Sequence, residues 1–155
     1  MKNIFFYETI IGRIGIVENG SGITEIYFNK DEIPKDIRLK ETPLIKETME
    51  QLEDYFIGKR KSFDLPFEPK GTEFQKSVWN ELLKIPYGET CSYGEIAKRI
   101  GNPKASRAIG MANNRNPISI IIPCHRVIGA NGKLVGYGGG LDIKEKLLKL
   151  EKENF

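Results

Sequence analysis

The chain has 155 residues, 39% of them hydrophobic and 29% charged, which suits a core-forming soluble protein and excludes intrinsic disorder. Two cysteines cannot build a disulfide framework, and no 18-residue apolar span occurs, so a cytoplasmic protein without a membrane segment or secretory signal is expected. The net charge of +3 is uneven: residues 1–70 hold 11 Lys and Arg against 13 Asp and Glu, whereas residues 71–155 hold 13 against 8. Between Ile96 and Leu141 there is no acidic residue, while Lys98, Arg99, Lys104, Arg107, Arg115, Arg126 and Lys133 are basic. Such a stretch is either a solvated basic face or the footprint of a polyanion.

In chain order, Ile4 to Ile10, Arg13 to Val17 and Ile23 to Phe28 are β-rich, with Asn19-Gly20-Ser21-Gly22 as a turn. Thr42-Pro43 opens a helix whose Leu44, Ile45, Thr48, Met49, Leu52, Tyr55 and Phe56 recur at helical spacing, and Gly58 ends it. Gly58 to Gly71, rich in Gly, Pro and charge, reads as a linker. These features predict an amino-terminal scaffold domain over 1–70, linker included, and a second domain over 71–155.

In the second part, Thr72-Glu73-Phe74-Gln75 and Ser92-Tyr93-Gly94-Glu95 are capping boxes that open two helices. Gly101 closes the second, and Asn102-Pro103 is expected to cap a further helix from Lys104 to about Asn113. Two short helices around a tight turn make a helix-turn-helix. Its second helix is slim, with Ala105, Ser106, Ala108, Gly110 and Ala112 around Lys104 and Arg107. That face suits the narrow minor groove better than base readout in the major groove, or it serves close helix packing. After the polar loop Asn113 to Pro117, Ile118 to Ile122 reads as a buried strand, and Asp142-Ile143-Lys144-Glu145 as a capping box for a last amphipathic helix.

The chemistry concentrates in Pro123-Cys124-His125-Arg126, where the only histidine adjoins a cysteine. A free thiol, with a pKa of about 8.5, needs a base or cations to become nucleophilic. Alternation along a strand would point Cys124 and His125 apart, so a turn after Pro123 or a bridging water must complete the relay. Glu151 is a candidate acid to orient the imidazole. One His and two distant Cys offer no metal-ligand pattern, and Cys91, with no histidine beside it, reads as a spectator.

Pro123-Cys124-His125-Arg126-Val127, preceded by Asn116-Pro117 and the isoleucine run, resembles the active-site signature of the O6-alkylguanine-DNA alkyltransferases. Phe74 to Trp79, Pro86 to Thr90, Ser92-Tyr93, Gly101 to Ala105, Arg107-Ala108, Tyr137 and Gly139-Gly140 support the resemblance over residues 71–155. It implies an α+β architecture, with a ribonuclease-H-like amino domain of small antiparallel sheet plus helix and a winged-helix-like carboxyl domain. It also implies a monomeric suicide methyltransferase that takes an alkyl group from O6-alkylguanine, and possibly O4-alkylthymine, in double-stranded DNA, without a cofactor or metal.

The resemblance further implies catalytic roles for Cys124 as acceptor, His125 as base through a water, Glu151 as its orienter and Tyr93 as proton donor. Asn116 would hold the helix-turn-helix against the active-site loop. Arg107 would fill the gap left by a flipped nucleotide, with Tyr93, Lys104, Ala105, Ser106 and Arg115 also at the DNA. Val127, Tyr137, Gly138 and Ser119 would line the base pocket. Some relatives carry serine where this chain has Gly138, and eukaryotic relatives carry proline at the position of Ser119. Residues 1–70 lack the Cys and His of some relatives' zinc site, and the presence of Cys124 argues against the non-transferring branch. A damage-recognition module that binds alkylated DNA without transfer is the competing class.

Overall fold

A computed structural model describes all 155 residues, which divide into two compact units, Met1–Lys70 and Gly71–Phe155. In the first, β1 (Asn3–Thr9), β2 (Gly12–Glu18) and β3 (Ile23–Phe28) form an antiparallel meander. A two-residue edge strand, β4 (Arg38–Leu39), adds parallel to β1, so the sheet order is β3-β2-β1-β4. The predicted first strand runs one residue too far, because the chain turns at Ile10 and Ile11, directly after Thr9. The Thr9 hydroxyl bonds the Gly12 carbonyl at 2.7 Å, Gly12 takes φ +98°, and Ile10 is left exposed. The Asn19 turn forms as read, with Asn19 Oδ1 accepting from the Ser21 and Gly22 amides at 2.9 and 3.0 Å.

Helix α1 (Pro43–Phe56) is capped by the Thr42 side chain and begins on proline. Its Ile45, Leu52 and Tyr55 are buried on the sheet with Ile4, Ile14, Ile16 and Ile23, which makes the core of this unit. The predicted linker does not hang free. Gln51 exchanges two side-chain bonds with the Asp64 backbone (2.9 and 3.0 Å), and Ile23 exchanges two backbone bonds with Pro66 and Glu68 (2.9 and 2.8 Å). Composition marks a chain without regular structure; it does not reveal a buried glutamine that satisfies that chain's amides.

In the second unit α2 (Glu73–Leu82) and α3 (Tyr93–Arg99) start at complete capping boxes on Thr72 and Ser92. Each box satisfies amides that a helix start leaves without partners. Helix α4 (Ser106–Asn114) packs against α3 as the second helix of the helix-turn-helix and also against α2, where Trp79 Nε1 donates to the Ala112 carbonyl at 2.9 Å. It starts two residues later than predicted. Asn102 uses its carbonyl, not its side chain, to accept from Ala105, so Lys104 and Ala105 precede the helix. Helix α5 (Leu141–Glu153) also lacks its predicted box: the N-cap is Gly140 at φ +103°, which has no side chain to offer.

The larger correction concerns Ile118–Ile122, which is a closed loop and not a strand. Asn116 Oδ1 accepts from the Ile118 amide (3.0 Å), Asn116 Nδ2 donates to the Ile122 carbonyl (2.8 Å), and the Ile122 amide returns to the Ile118 carbonyl (3.0 Å). Ile120 consequently sits at φ +76°, a conformation that costs a β-branched residue roughly 1–2 kcal/mol. Ile118, Ile120 and Ile122 are all buried, and each buried side chain returns about 1.5–3 kcal/mol, so burial wins. A run of isoleucines therefore builds core without building sheet.

Candidate active site

Directly after this loop the backbone tightens into a 3-10 turn, Cys124–Arg126, N-capped by Pro123, and leaves it as β6 (Val127–Ile128). Strand β6 pairs in parallel with β5 (Cys91–Ser92), setting Cys91 beside Val127. The segment is thus a turn and not a strand, and Cys124, His125 and Arg126 are each buried in it.

His125 Nε2 lies 2.6 Å from Glu151 Oε2 on α5. Glu151 also accepts from Arg126 Nε (2.8 Å) and Nη2 (3.0 Å), and from the Gly88 amide (3.1 Å). Arg126 completes its fork on the Ile85 carbonyl at 2.7 Å. Burial alone would push the Glu151 carboxyl up, but the His125 and Arg126 bonds outweigh it and hold it well below the usual range. An ionised carboxylate only accepts, so His125 donates from Nε2 and Nδ1 becomes its basic nitrogen. Burial holds the imidazole pKa below 6.5 against the opposing pull of Glu151. The result is a neutral, oriented imidazole.

Cys124 is raised by burial, and this is opposed by Asn116, Ser119 and Lys144. Its Sγ is 4.0 Å from the Ser119 hydroxyl. Tyr137 is buried beside the same two groups, its phenol held protonated by burial and by the thiol's charge when ionised. Tyr93, the first residue of α3, donates its hydroxyl to the Val135 carbonyl at 2.9 Å and has its pKa raised by burial, then by Cys124. Gly138 is exposed on the segment between Tyr137 and α5.

The basic candidates lie outside this cluster. Ser106 and Arg107 are exposed on the first turn of α4, Lys104 is exposed just before it, and Arg115 is exposed just after it. Three contributors escaped the sequence reading. Asn113 Nδ2 reaches the Cys124 carbonyl at 3.3 Å. Arg126, noted only as a cation near the thiol, is the second partner of Glu151. Lys144, fully buried, donates to the Val127, Val135 and Gly136 carbonyls at 2.6, 2.9 and 3.2 Å. Burial lowers its pKa to about 8. A signal for Lys144 existed: Lys144, Leu147 and Glu151 share one helical stripe, so two charges face the core.

A buried thiol with an oriented imidazole and carboxylate, carried on a helix-turn-helix unit, defines a protein that brings a cysteine nucleophile to nucleic acid. The comparisons agree. Residues 73–153 match the 6-O-methylguanine DNA methyltransferase DNA binding domain, and residues 5–69 match the ribonuclease-like domain of the same family. The methylated-DNA–protein-cysteine methyltransferase of Methanosarcina acetivorans is 60% identical over 149 residues, 94% of this chain and 95% of that one. The crystal structure of the Mycobacterium tuberculosis O6-methylguanine methyltransferase is similar at TM-score 0.93 and 44% identity, covering 100% of this chain and 95% of that one. A DNA complex of the Mycobacterium tuberculosis protein matches at TM-score 0.92 and 45% identity, over 98% and 94% of the two chains. The chain belongs to the 6-O-methylguanine DNA methyltransferase family. No helix is long and apolar enough to cross a membrane.

Proposed function

We propose that the protein repairs O6-alkylguanine in double-stranded DNA by moving the alkyl group onto Cys124 in one irreversible event. Family membership supplies the reaction, and the His125–Glu151–Arg126 cluster beside the only cysteine with an adjacent base is the observation that carries the residue assignment. Cys124 loses its proton toward His125 through a water, and its sulfur attacks the alkyl carbon. The S–C bond forms as the C–O6 bond breaks, and the electron pair passes into the guanine ring. Tyr93, kept protonated by its raised pKa, donates to a ring nitrogen, and the guanine leaves neutral in the repaired strand.

The alkyl carbon is inaccessible inside a duplex, so the nucleotide must turn out into the pocket of Ser119, Val127, Tyr137 and Gly138, at a cost of a few kcal/mol. Arg107, exposed on the outer face of α4, fills the gap in the stack. Lys104, Ala105, Ser106 and Arg115 hold the flanking backbone. A thioether is a poor leaving group, so each molecule reacts once. The protein works as a cytoplasmic monomer without a cofactor.

Intact-protein mass spectrometry after incubation with a methylated duplex tests this reading. One added methyl group, about 14 Da, on the peptide holding Cys124 is expected, with loss of lesion equal to the protein supplied. Repeated turnover, label on Cys91, or tight lesion binding without any mass change would overturn it.

A further inference from the structure

The Val135 carbonyl accepts two hydrogen bonds, one from the Tyr93 hydroxyl and one from Lys144. The same ammonium group holds Val127, the first residue after the active-site turn, and Gly136, the neighbour of Tyr137. Lys144 thus uses all three of its donors on backbone that flanks the thiol pocket, and none on a carboxylate. A buried lysine without a counter-ion is costly to keep, and hydrophobic residues fill such a helix stripe more cheaply. The arrangement therefore calls for a use.

The geometry supplies one. Tyr93 cannot give its proton to a guanine while its hydroxyl is committed to Val135. When it leaves, the Val135 carbonyl loses one of its two hydrogen bonds. With Lys144 in place the carbonyl keeps one bond, and the loop that carries Gly136 and Tyr137 keeps its position.

We propose that Lys144 is a positioning residue for alkyl transfer: it anchors the Val135–Gly136 backbone so that Tyr93 can exchange that backbone for the substrate base without the pocket wall shifting. The inference rests on the reading of Tyr93 as proton donor. It separates two jobs that share one carbonyl, holding the wall and delivering the proton.

Single-turnover kinetics on a methylated duplex test it with Lys144→Met, Tyr93→Phe and the double variant. Lys144→Met should slow the transfer step about tenfold at saturating DNA, with half-saturation changed by no more than about twofold. In the Tyr93→Phe background the same change should cost no more than about threefold, because residues acting through one another are not additive. Equal losses in both backgrounds, or an unchanged rate, would overturn the proposal. An undiminished rate in Tyr93→Phe alone would instead remove the Tyr93 reading, and the inference with it. If Lys144→Met does not fold, nitrogen NMR of the Lys144 ammonium in the inert Cys124→Ser protein decides. A protected signal that persists in the complex with methylated duplex supports the anchor, and its loss there overturns it.

Discussion

His125 Nε2 and Glu151 Oε2 are 2.6 Å apart, both buried, and the second Glu151 oxygen is occupied by Arg126 at 2.8 Å. One carboxylate thus orients the imidazole and neutralises the guanidinium beside it. The imidazole keeps its proton on the nitrogen facing Glu151, which leaves Nδ1 free of a proton for the proposed relay.

Breaking that cluster should be expensive. Glu151→Gln leaves Arg126 buried without its counter-charge, and removal of one partner of such a pair costs about 3–5 kcal/mol. Chemical denaturation should show a loss of this size. Alkyl transfer should fall too, measured on whatever folded fraction remains at low temperature.

Acid should weaken both stability and activity. His125 has a folded pKa below 6.5, so below 6.5 the unfolded chain binds the extra proton and the folded one does not. Stability therefore falls as pH drops from 6.5 toward the folded value, by up to about 1.4 kcal/mol per pH unit. Glu151, also depressed, adds a second loss below 4.5. Urea midpoints measured from pH 8 to 5 should be level above 6.5 and then decline. The transfer rate should follow the neutral fraction of His125, level near neutrality and falling only once pH passes below its depressed folded pKa. A rate that rises on acidification would contradict the assignment of His125 as base.

Arg107 sits at the outer face of α4, away from the thiol cluster. Arg107→Ala should reduce repair in duplex DNA by about tenfold or more while leaving reaction with free O6-methylguanine within about twofold. Parallel assays on the two substrates check this, and equal losses would refute the gap-filling role.

Asn116 closes the Ile118–Ile122 loop through two side-chain bonds. Asn116→Ala strands the buried Ile118 amide, at about 1–3 kcal/mol, and leaves the Ile122 carbonyl only the Cys124 amide at 2.8 Å. The loop that delivers Pro123 and Cys124 should loosen, seen as faster hydrogen exchange at Ile118 and Ile122 and slower transfer.

Local signals were strong enough to place the meander, the Thr42, Thr72 and Ser92 helix starts and the thiol. Each depends on neighbours within four residues, where capping bonds and hydrophobic period act. The pairing of Glu151 with His125 entered through family resemblance; spacing alone left it as one candidate acid among few. The failures share another cause. Ile118–Ile122 has β propensity, but the two bonds of Asn116 and burial of the isoleucines override it. Gly140 displaced the Asp142 cap because a glycine can take the positive φ that directs the chain into α5.

The Pro-Cys-His-Arg stretch by itself set the only histidine of the chain beside a cysteine, since no other residues of those types lie together. Only the tertiary structure decided their surroundings. The 3-10 turn after Pro123 buries both side chains where a strand would have parted them. Helix α5 then brings Glu151 to His125 and Lys144 to the pocket backbone, from 26 and 17 residues away. Such contacts form because buried charges must find partners, and the partners that fit are set by packing, not by distance along the chain.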